Sequence, residues 1–281
     1  MLRLLTLVAV LLAVPSSAVA AVGAQTGKSK DDVLSYWTDA RMKAAKPRDK
    51  AKPGGGGGAT GGVRSYEPAV YPKEHGKVFF SDGGSNWVCS GTAVTGATGS
   101  VVWTAGHCSW SASGSGPVTN FMFVPAFKDG AAPYGRFAAT SIYSATGWKT
   151  SEEYGVDVGA ARVATNESGK TLAQAVGGRA IAFNQPRQIT YHLIGYPAAG
   201  KFNGQRMRVC DSPWLRDDLS TTPDAIGVGC DMTGGSSGGG WLNDANVLVS
   251  NVSYGYGNLK NVLFGPHLEG EAQSVYAAAA G

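Results

Sequence analysis

Charge is scarce in this chain. Only 16% of its 281 residues are Asp, Glu, Lys or Arg, and it has just four histidines and four cysteines. No apolar run reaches the roughly 18 residues that a membrane-spanning helix needs. No Cys-x-x-Cys pair offers a structural zinc site, and no segment repeats. Aromatic residues make up 10% and hydrophobic residues 43%, which argues against wholesale disorder. Glycine is plentiful: its 41 residues exceed the ordinary share of roughly 7% about twofold. Much glycine with little charge fits a β-rich fold with many turns, not a helical bundle.

The net charge of +4 is unevenly placed. Residues 1–65 carry ten Lys and Arg against four Asp and Glu, a balance of +6; residues 66–281 carry fourteen against sixteen, a balance of −2. The basic excess belongs to the leader, so the body has no electrostatic footprint for nucleic acid.

Composition divides the chain into three. Residues 1–20 read as a secretory signal: Arg3, an apolar core from Leu4 to Val14, a break at Pro15-Ser16-Ser17, and the small-x-small end Ala18-Val19-Ala20. Residues 21–65 read as a pro-segment. This stretch is polar and basic from Lys28 to Lys52, has one amphipathic turn around Val33, Leu34, Tyr36 and Trp37, and closes on a glycine run with linker character, Gly54 to Gly58. A single domain then spans 66–281, with no membrane attachment expected once the signal is removed.

Within that domain, short apolar runs alternate with turn residues: Val78-Phe79-Phe80, Trp87-Val88-Cys89, Val101 to Trp103, Phe121 to Val124, Val156 to Val163, Tyr191 to Tyr196 and Val247 to Tyr254. Asp82-Gly83-Gly84 and Ser111 to Gly116 suit hairpin connections. Strand after strand with little helix between them predicts an all-β barrel or sandwich. One alanine-rich helix is expected near the end, over Gln273 to Ala279. Trp87, Trp103 and Trp241 sit in apolar stretches and are expected in the core.

Four cysteines in an exported chain imply two disulfides, and three connectivities are open. Local pairing, Cys89 with Cys108 and Cys210 with Cys230, would close two loops of about twenty residues, each contributing about 3 kcal/mol by restricting the unfolded chain.

Two segments carry most of the chemistry. Thr104-Ala105-Gly106-His107-Cys108 follows an apolar run, and Gly234-Gly235-Ser236-Ser237-Gly238-Gly239-Gly240 precedes Trp241. A serine hydroxyl becomes a nucleophile when a neighbouring base takes its proton, and histidine suits that task near neutrality. Flanking glycines let the backbone turn sharply and aim N–H groups at a developing oxyanion. The third partner should be a carboxylate that orients the histidine. Asp157, alone among apolar neighbours from Val156 to Ala161, is the first candidate because an unpaired acid there would be costly to bury. Asp129 is the reserve.

Ala105-Gly106-His107-Cys108, Asp157-Val158-Gly159-Ala160 and Gly235-Ser236-Ser237-Gly238-Gly239 together resemble the three signature stretches of trypsin-like, chymotrypsin-fold serine proteases, in the order His, Asp, Ser. The resemblance covers roughly Lys77 to Tyr256 in separate islands. It implies two packed six-stranded β-barrels, a short C-terminal helix and a Cys89–Cys108 bridge. It also implies a secreted endopeptidase that needs no cofactor or metal and acts on a protein or peptide substrate. Ser237 would attack, His107 would serve as base and then acid, Asp157 would fix the histidine tautomer, and the N–H groups of Gly235 and Ser237 would form the oxyanion hole.

The form Thr-Gly-Gly-Ser-Ser-Gly is most similar to the bacterial glutamyl-endopeptidase-like branch. Ser236 stands where many relatives have the acid that pairs with a new N-terminus, so activation by that ion pair is not expected. Counting back six residues from Ser237 places Asp231 at the base of the primary pocket, with Ser253-Tyr254-Gly255 as a wall. This reading implies cleavage after Arg or Lys. Two others stand beside it: Asp231 bonding a turn backbone, and a preference for Glu.

Two rival functions use the same residues. Gly235-Ser236-Ser237-Gly238-Gly239 also satisfies Gly-x-Ser-x-Gly, with Asp244 and His267 in the order an esterase requires, although the alternation of strands and helices is missing. A protease-like domain that binds without cutting is the non-enzymatic rival. His75, His192 and His267 are expected to be structural or exposed.

Overall fold

A computed structural model describes residues 23–54, 60–111 and 116–281. The proposed signal, all but the first residue of the run Gly54 to Gly58, and the middle of the Ser111–Gly116 turn lie outside the described residues.

Six strands form the first barrel: β1 (His75–Asp82), β2 (Ser85–Val94), β3 (Val101–Thr104), β4 (Thr119–Pro125), β5 (Phe137–Ser144) and β6 (Gly159–Val163). Their order is β5-β6-β3-β2-β1-β4, and Phe123 opposite Phe137 brings β4 back to β5 and closes the ring. The β1–β2 hairpin turns on Gly83 and Gly84 at φ +56° and +76°. Two consecutive positive φ values match the right-handed twist of the flanking strands and favour glycine.

The second sheet has β7 (Thr190–Gly195), β8 (Arg208–Asp218), β9 (Ala225–Gly229), β10 (Gly240–Leu242), β11 (Leu248–Asn251) and β12 (Val262–Gly265). It runs β11-β10-β7-β8-β9-β12 as an open half-barrel. The molecule is thus the all-β, two-sheet architecture expected, with one sheet closed and the other open. The eleven-residue β8 escapes a search for apolar runs because Arg208, Asp211, Arg216, Asp217 and Asp218 lie within it.

Both disulfides adopt the local pairing, Cys89–Cys108 and Cys210–Cys230. The last helix, Gly270–Ala280, leaves the second sheet and packs Val275 and Ala279 on the first barrel. Arg162 of β6 donates to the carbonyls of Ala278 and Ala279, placing a cation at the negative helix end.

The N-terminal segment ahead of the glycine run is folded onto the body. Ser29 and Asp32 form a capping box for the helix Lys30–Tyr36, and Thr38 caps a second helix, Asp39–Ala44. Val33, Leu34, Trp37 and Met42 are buried in the same cluster as Phe79, Trp103 and Trp148. The Trp37 indole donates to the Asn120 carbonyl at 2.6 Å. Trp103 and Trp241 are fully buried as expected. Trp87 is not: it lies half-buried at the rim, under the guanidinium of Arg48.

Candidate active site

Each signature stretch sits at the end of a strand. β3 stops at Thr104, and the chain tightens into a 3₁₀ turn, Gly106–Cys108, tied back to β2 through Cys89. This turn presents His107. A Cβ on Gly106 would lie 2.8 Å from the Asp157 carboxylate and 2.7 Å from the Trp148 ring, so glycine is needed for the close approach. Asp157 lies between the 3₁₀ turn Tyr154–Val156 and β6.

His107 and Asp157 are both fully buried. Their contact is double: His107 Nδ1 lies 2.7 Å from Oδ2, and the His107 backbone N–H donates to Oδ1 at 2.8 Å. The Ser253 hydroxyl donates to Oδ2 at 2.5 Å, and Asn251 Nδ2 donates to the Asp157 carbonyl. Burial, the largest influence, pushes the carboxyl up in pKa; the charge and hydrogen bonds of His107 with the Ser253 donation outweigh it and hold it below the ordinary value. Ser253, expected as a pocket wall, is therefore also a support of the acid. The Trp148 ring stands 5.9 Å from the imidazole. Neither Trp148 nor Asn251 stands out in the sequence, because both contacts are long-range.

The serine turn is equally constrained. Gly235 has φ +96° and Gly238 has φ +78°. A Cβ on Gly238 would meet the Ser90 carbonyl at 2.5 Å and the Ala105 nitrogen at 2.8 Å, so the turn carrying Ser237 packs directly against the one carrying His107. Ser90 pins it further, its N–H donating to the Ser237 carbonyl and its hydroxyl to that of Gly235. Ser236 donates its hydroxyl to the Thr233 carbonyl.

Something already occupies the cleft. The Arg48 carbonyl accepts from Gly235 N–H and from the Ser237 hydroxyl, each at 3.3 Å. His107 Nε2 is buried without a hydrogen-bond partner among the described residues. Around Arg48, residues 46–52 form a strap. Lys46-Pro47 pairs parallel with Trp87-Val88 of β2, and Ala51-Lys52 pairs parallel with Gly255-Tyr256. Alternate side chains of the strap meet an acid and an aromatic ring. Arg48 bonds Asp82 over Trp87, Lys50 bonds Glu152 over Trp148, and Lys52 sits near Asp218 among Tyr154, Tyr254 and Tyr256. The basic leader and the acidic body were a visible signal of this complementarity, which charge totals alone do not locate.

Asp231, Ser253 and Gly255 do line one cleft, together with Asp49 and Lys50 of the strap. The Asp231 carboxylate is satisfied from elsewhere, by Lys201 Nζ at 2.6 Å and Ser65 N–H at 2.7 Å. Asp129 pairs with Arg206 at the surface. The esterase order is not assembled: His267 bonds Glu269 and the Gln185 carbonyl, and Asp244 bonds His192. His75 is buried against Thr92, and burial together with Arg179 lowers its pKa to about 3, so it is neutral. Among the described residues, the two places where three metal-ligating atoms converge both use disulfide sulfurs and offer no thiolate.

Neither a protein-family profile nor a curated protein matches this sequence. Solved structures do. Protease Anisep from Arthrobacter nicotinovorans is 40% identical, with a TM-score of 0.72, over 77% of this chain and 100% of its own. The thermostable serine protease AL20, from an extremophilic microorganism, is 38% identical, with a TM-score of 0.70, over 74% of this chain and 97% of its own. A Glu endopeptidase at 22% identity and a TM-score of 0.62 shares the fold.

Proposed function

Since the chain belongs to the chymotrypsin-fold serine proteases, in their glutamyl-endopeptidase-like branch, and is a serine endopeptidase acting on peptides, we propose that it is made as a secreted zymogen working through His107, Asp157 and Ser237. Ser237 Oγ attacks the scissile carbonyl carbon while His107 Nε2 takes its proton. The N–H groups of Gly235 and Ser237 hold the oxyanion. The imidazolium then returns the proton to the leaving amine, and the acyl group stays on Ser237 until a water, deprotonated by His107, releases it. Asp157 keeps Nδ1 protonated and steadies the positive ring. The observation that carries this reading is the fully buried His107–Asp157 pair, in which the acid takes three donors.

The zymogen part rests on the strap. By the family resemblance, the residue before the scissile carbonyl would sit in the pocket walled by Ser253-Tyr254-Gly255, with the leaving amine on the other side. Here the order is reversed: Asp49, Lys50 and Ala51, which follow the Arg48 carbonyl, line that wall. Attack on the Arg48 carbonyl would expel the Asp49 amine into the pocket, away from the acid that must protonate it. The strap therefore fills the oxyanion site without being a good substrate. Gly61 N–H bonds the Lys260 carbonyl, and Tyr66 pairs with Val209, so the body begins near Gly61 and the mature N-terminus falls before it. Ser236, bonded to Thr233, requires no new terminal amine. Export is supported by the character of residues 1–20 and by two disulfides. Asp231 is best read as bonding backbone, the second of the readings its position allowed.

The test is a serine-directed phosphonylating probe read by intact mass. The processed protein should gain one adduct, the full chain should react far more slowly, and Ser237→Ala should gain none. Rapid labelling of the unprocessed chain would remove the zymogen reading, and no labelling of either form would favour a binding domain that does not cut.

A further inference from the structure

Of the three stations that receive the strap's cations, the one at Lys52 is built most completely. Its ammonium lies 5.5, 5.6 and 5.8 Å from the ring centres of Tyr154, Tyr254 and Tyr256, and 3.7 Å from Asp218 Oδ2. It also donates to the Ser220 hydroxyl at 2.8 Å and the Ser220 carbonyl at 3.3 Å. None of this cage depends on Lys52 for its shape. The hydroxyls of Tyr254 and Tyr256 both donate to Asp218 Oδ2, Ser220 caps Oδ1, Tyr254 stacks on Phe264, and Tyr154 meets Tyr254 edge-on at 4.7 Å. Aromatic faces set around a cation, with a carboxylate behind them, attract it electrostatically, and more strongly as water is excluded.

We infer that this cage is a recognition subsite for a cationic side chain of the substrate, upstream of the scissile bond, which Lys52 fills in the intact chain. The inference rests on the endopeptidase reading above. With the strap in place the Asp218 side chain is 10% exposed; when the strap leaves, Asp218 stays in the body without its ammonium partner, and a charge held among aromatic rings without a counter-ion is unfavourable. Burial would raise its carboxyl, but the donations from Ser220, Tyr254 and Tyr256 prevail and hold it at about 2, so it remains anionic. The cage flanks the edge Gly255-Tyr256, on which the strap lies as a strand. A substrate extended on that edge would deliver a side chain to the same place. Counted from Arg48, whose carbonyl lies at the nucleophile, Lys52 is the fifth residue, which points to the fourth or fifth residue before the cleaved bond.

The first measurement does not need cleavage. Full-length Ser237→Ala protein, cut once before Gly61 with both pieces still associated, is challenged with labelled peptides of residues 44–53 carrying lysine or neutral norleucine at position 52. The lysine peptide should exchange in about tenfold more tightly, and Asp218→Asn should erase most of the difference. Tyr154→Leu, which leaves Asp218 and its hydrogen bonds in place, should reduce it two- to fourfold and guards against a folding failure of the first variant. The second measurement compares kcat/KM of the processed enzyme on peptides with lysine or norleucine as the fourth or fifth residue before the cleaved bond, with about a tenfold advantage expected for lysine. Equal exchange of the two peptides overturns the inference. So does unequal exchange with no lysine advantage in cleavage, which would make the cage an anchor for the strap alone. A processed enzyme that cleaves nothing instead overturns the endopeptidase reading, and the exchange result then decides by itself whether the cage reads charge.

Discussion

The N-terminal segment and the body it covers are held by different forces. The body is knit by strand ladders, a closed barrel and two disulfides, so its elements are paired over most of their length. The segment uses two short helices that insert four apolar side chains, Val33, Leu34, Trp37 and Met42, and a strap that adds two two-residue ladders and three charged contacts. Isolated helices this short are not stable in water and depend on packing. Units with few anchors open at lower free energy than the core they rest on. The segment fills the cleft in the intact chain, and the proposed zymogen reading requires that it leave once cut.

The sharpest way to probe this comparison is to disable the chemistry within the body. Ser237→Ala and His107→Ala should each remove nearly all peptide hydrolysis by the processed protein, and Asp157→Asn should lower kcat by about 10⁴, by analogy with trypsin-like enzymes. The losses should not add, because the three residues act as one unit. Near-full activity in Asp157→Asn would mean that another acid orients His107.

Loosening the segment comes next. Trp37→Ala removes a fully buried indole and its bond to Asn120, a change that typically costs about 3–5 kcal/mol. Confined to the segment, that should raise hydrolysis by the unprocessed chain about 100-fold and leave the processed enzyme unchanged. Peptide assays on both forms check this. No rise in the unprocessed form would show that the segment keeps its place in the cleft without Trp37.

Acid should probe both regions at once. Asp157 and Asp218 both have lowered carboxyl values in the fold, Asp218 at about 2. A lowered acid contributes stability that is complete above its unfolded value of about 3.9 and is lost as pH falls through the folded value. Between pH of about 4 and 2 the melting temperature should therefore fall, and less steeply in Asp157→Asn and Asp218→Asn. Equal slopes in wild type and variants would remove these carboxylates from the acid transition.

The smallest effect is expected at Asp231, whose partners are the Ser65 N–H and an exposed lysine, Lys201. Asp231→Ser should lower stability by about 1 kcal/mol and leave the preference for the residue before the cleaved bond unchanged. Loss of cleavage after Lys or Arg in that variant, measured on a mixed peptide library, would restore Asp231 to the pocket base.

Much was legible in the sequence because it depends on local rules. Apolar runs and turn glycines marked β1 to β4, cysteine spacing suggested both bridges, and His107 and Ser237 stood out by their glycine neighbours. Asp157 was legible because a lone acid among apolar residues needs a partner. β8 was hidden because its outward face is charged. Trp148, the second role of Ser253, and Asn251 were hidden because they act across 41 to 96 positions of chain, which no local pattern encodes.

What the sequence determined by itself, then, was the β-class, the three stretches that resemble protease signatures and the charge opposition between leader and body. Only the tertiary structure decided where that opposition is spent. A charge total has no direction, whereas the strap has a polarity, set by two parallel pairings that lay the Arg48 carbonyl against Gly235 with its amine on the wrong side. It also decided that Asp231 meets Lys201 of the body, whereas Asp218, held by Tyr254 and Tyr256, meets Lys52 of the strap. Both are acids in ordinary surroundings along the chain, and they differ only in which side chains the fold brings within hydrogen-bond reach.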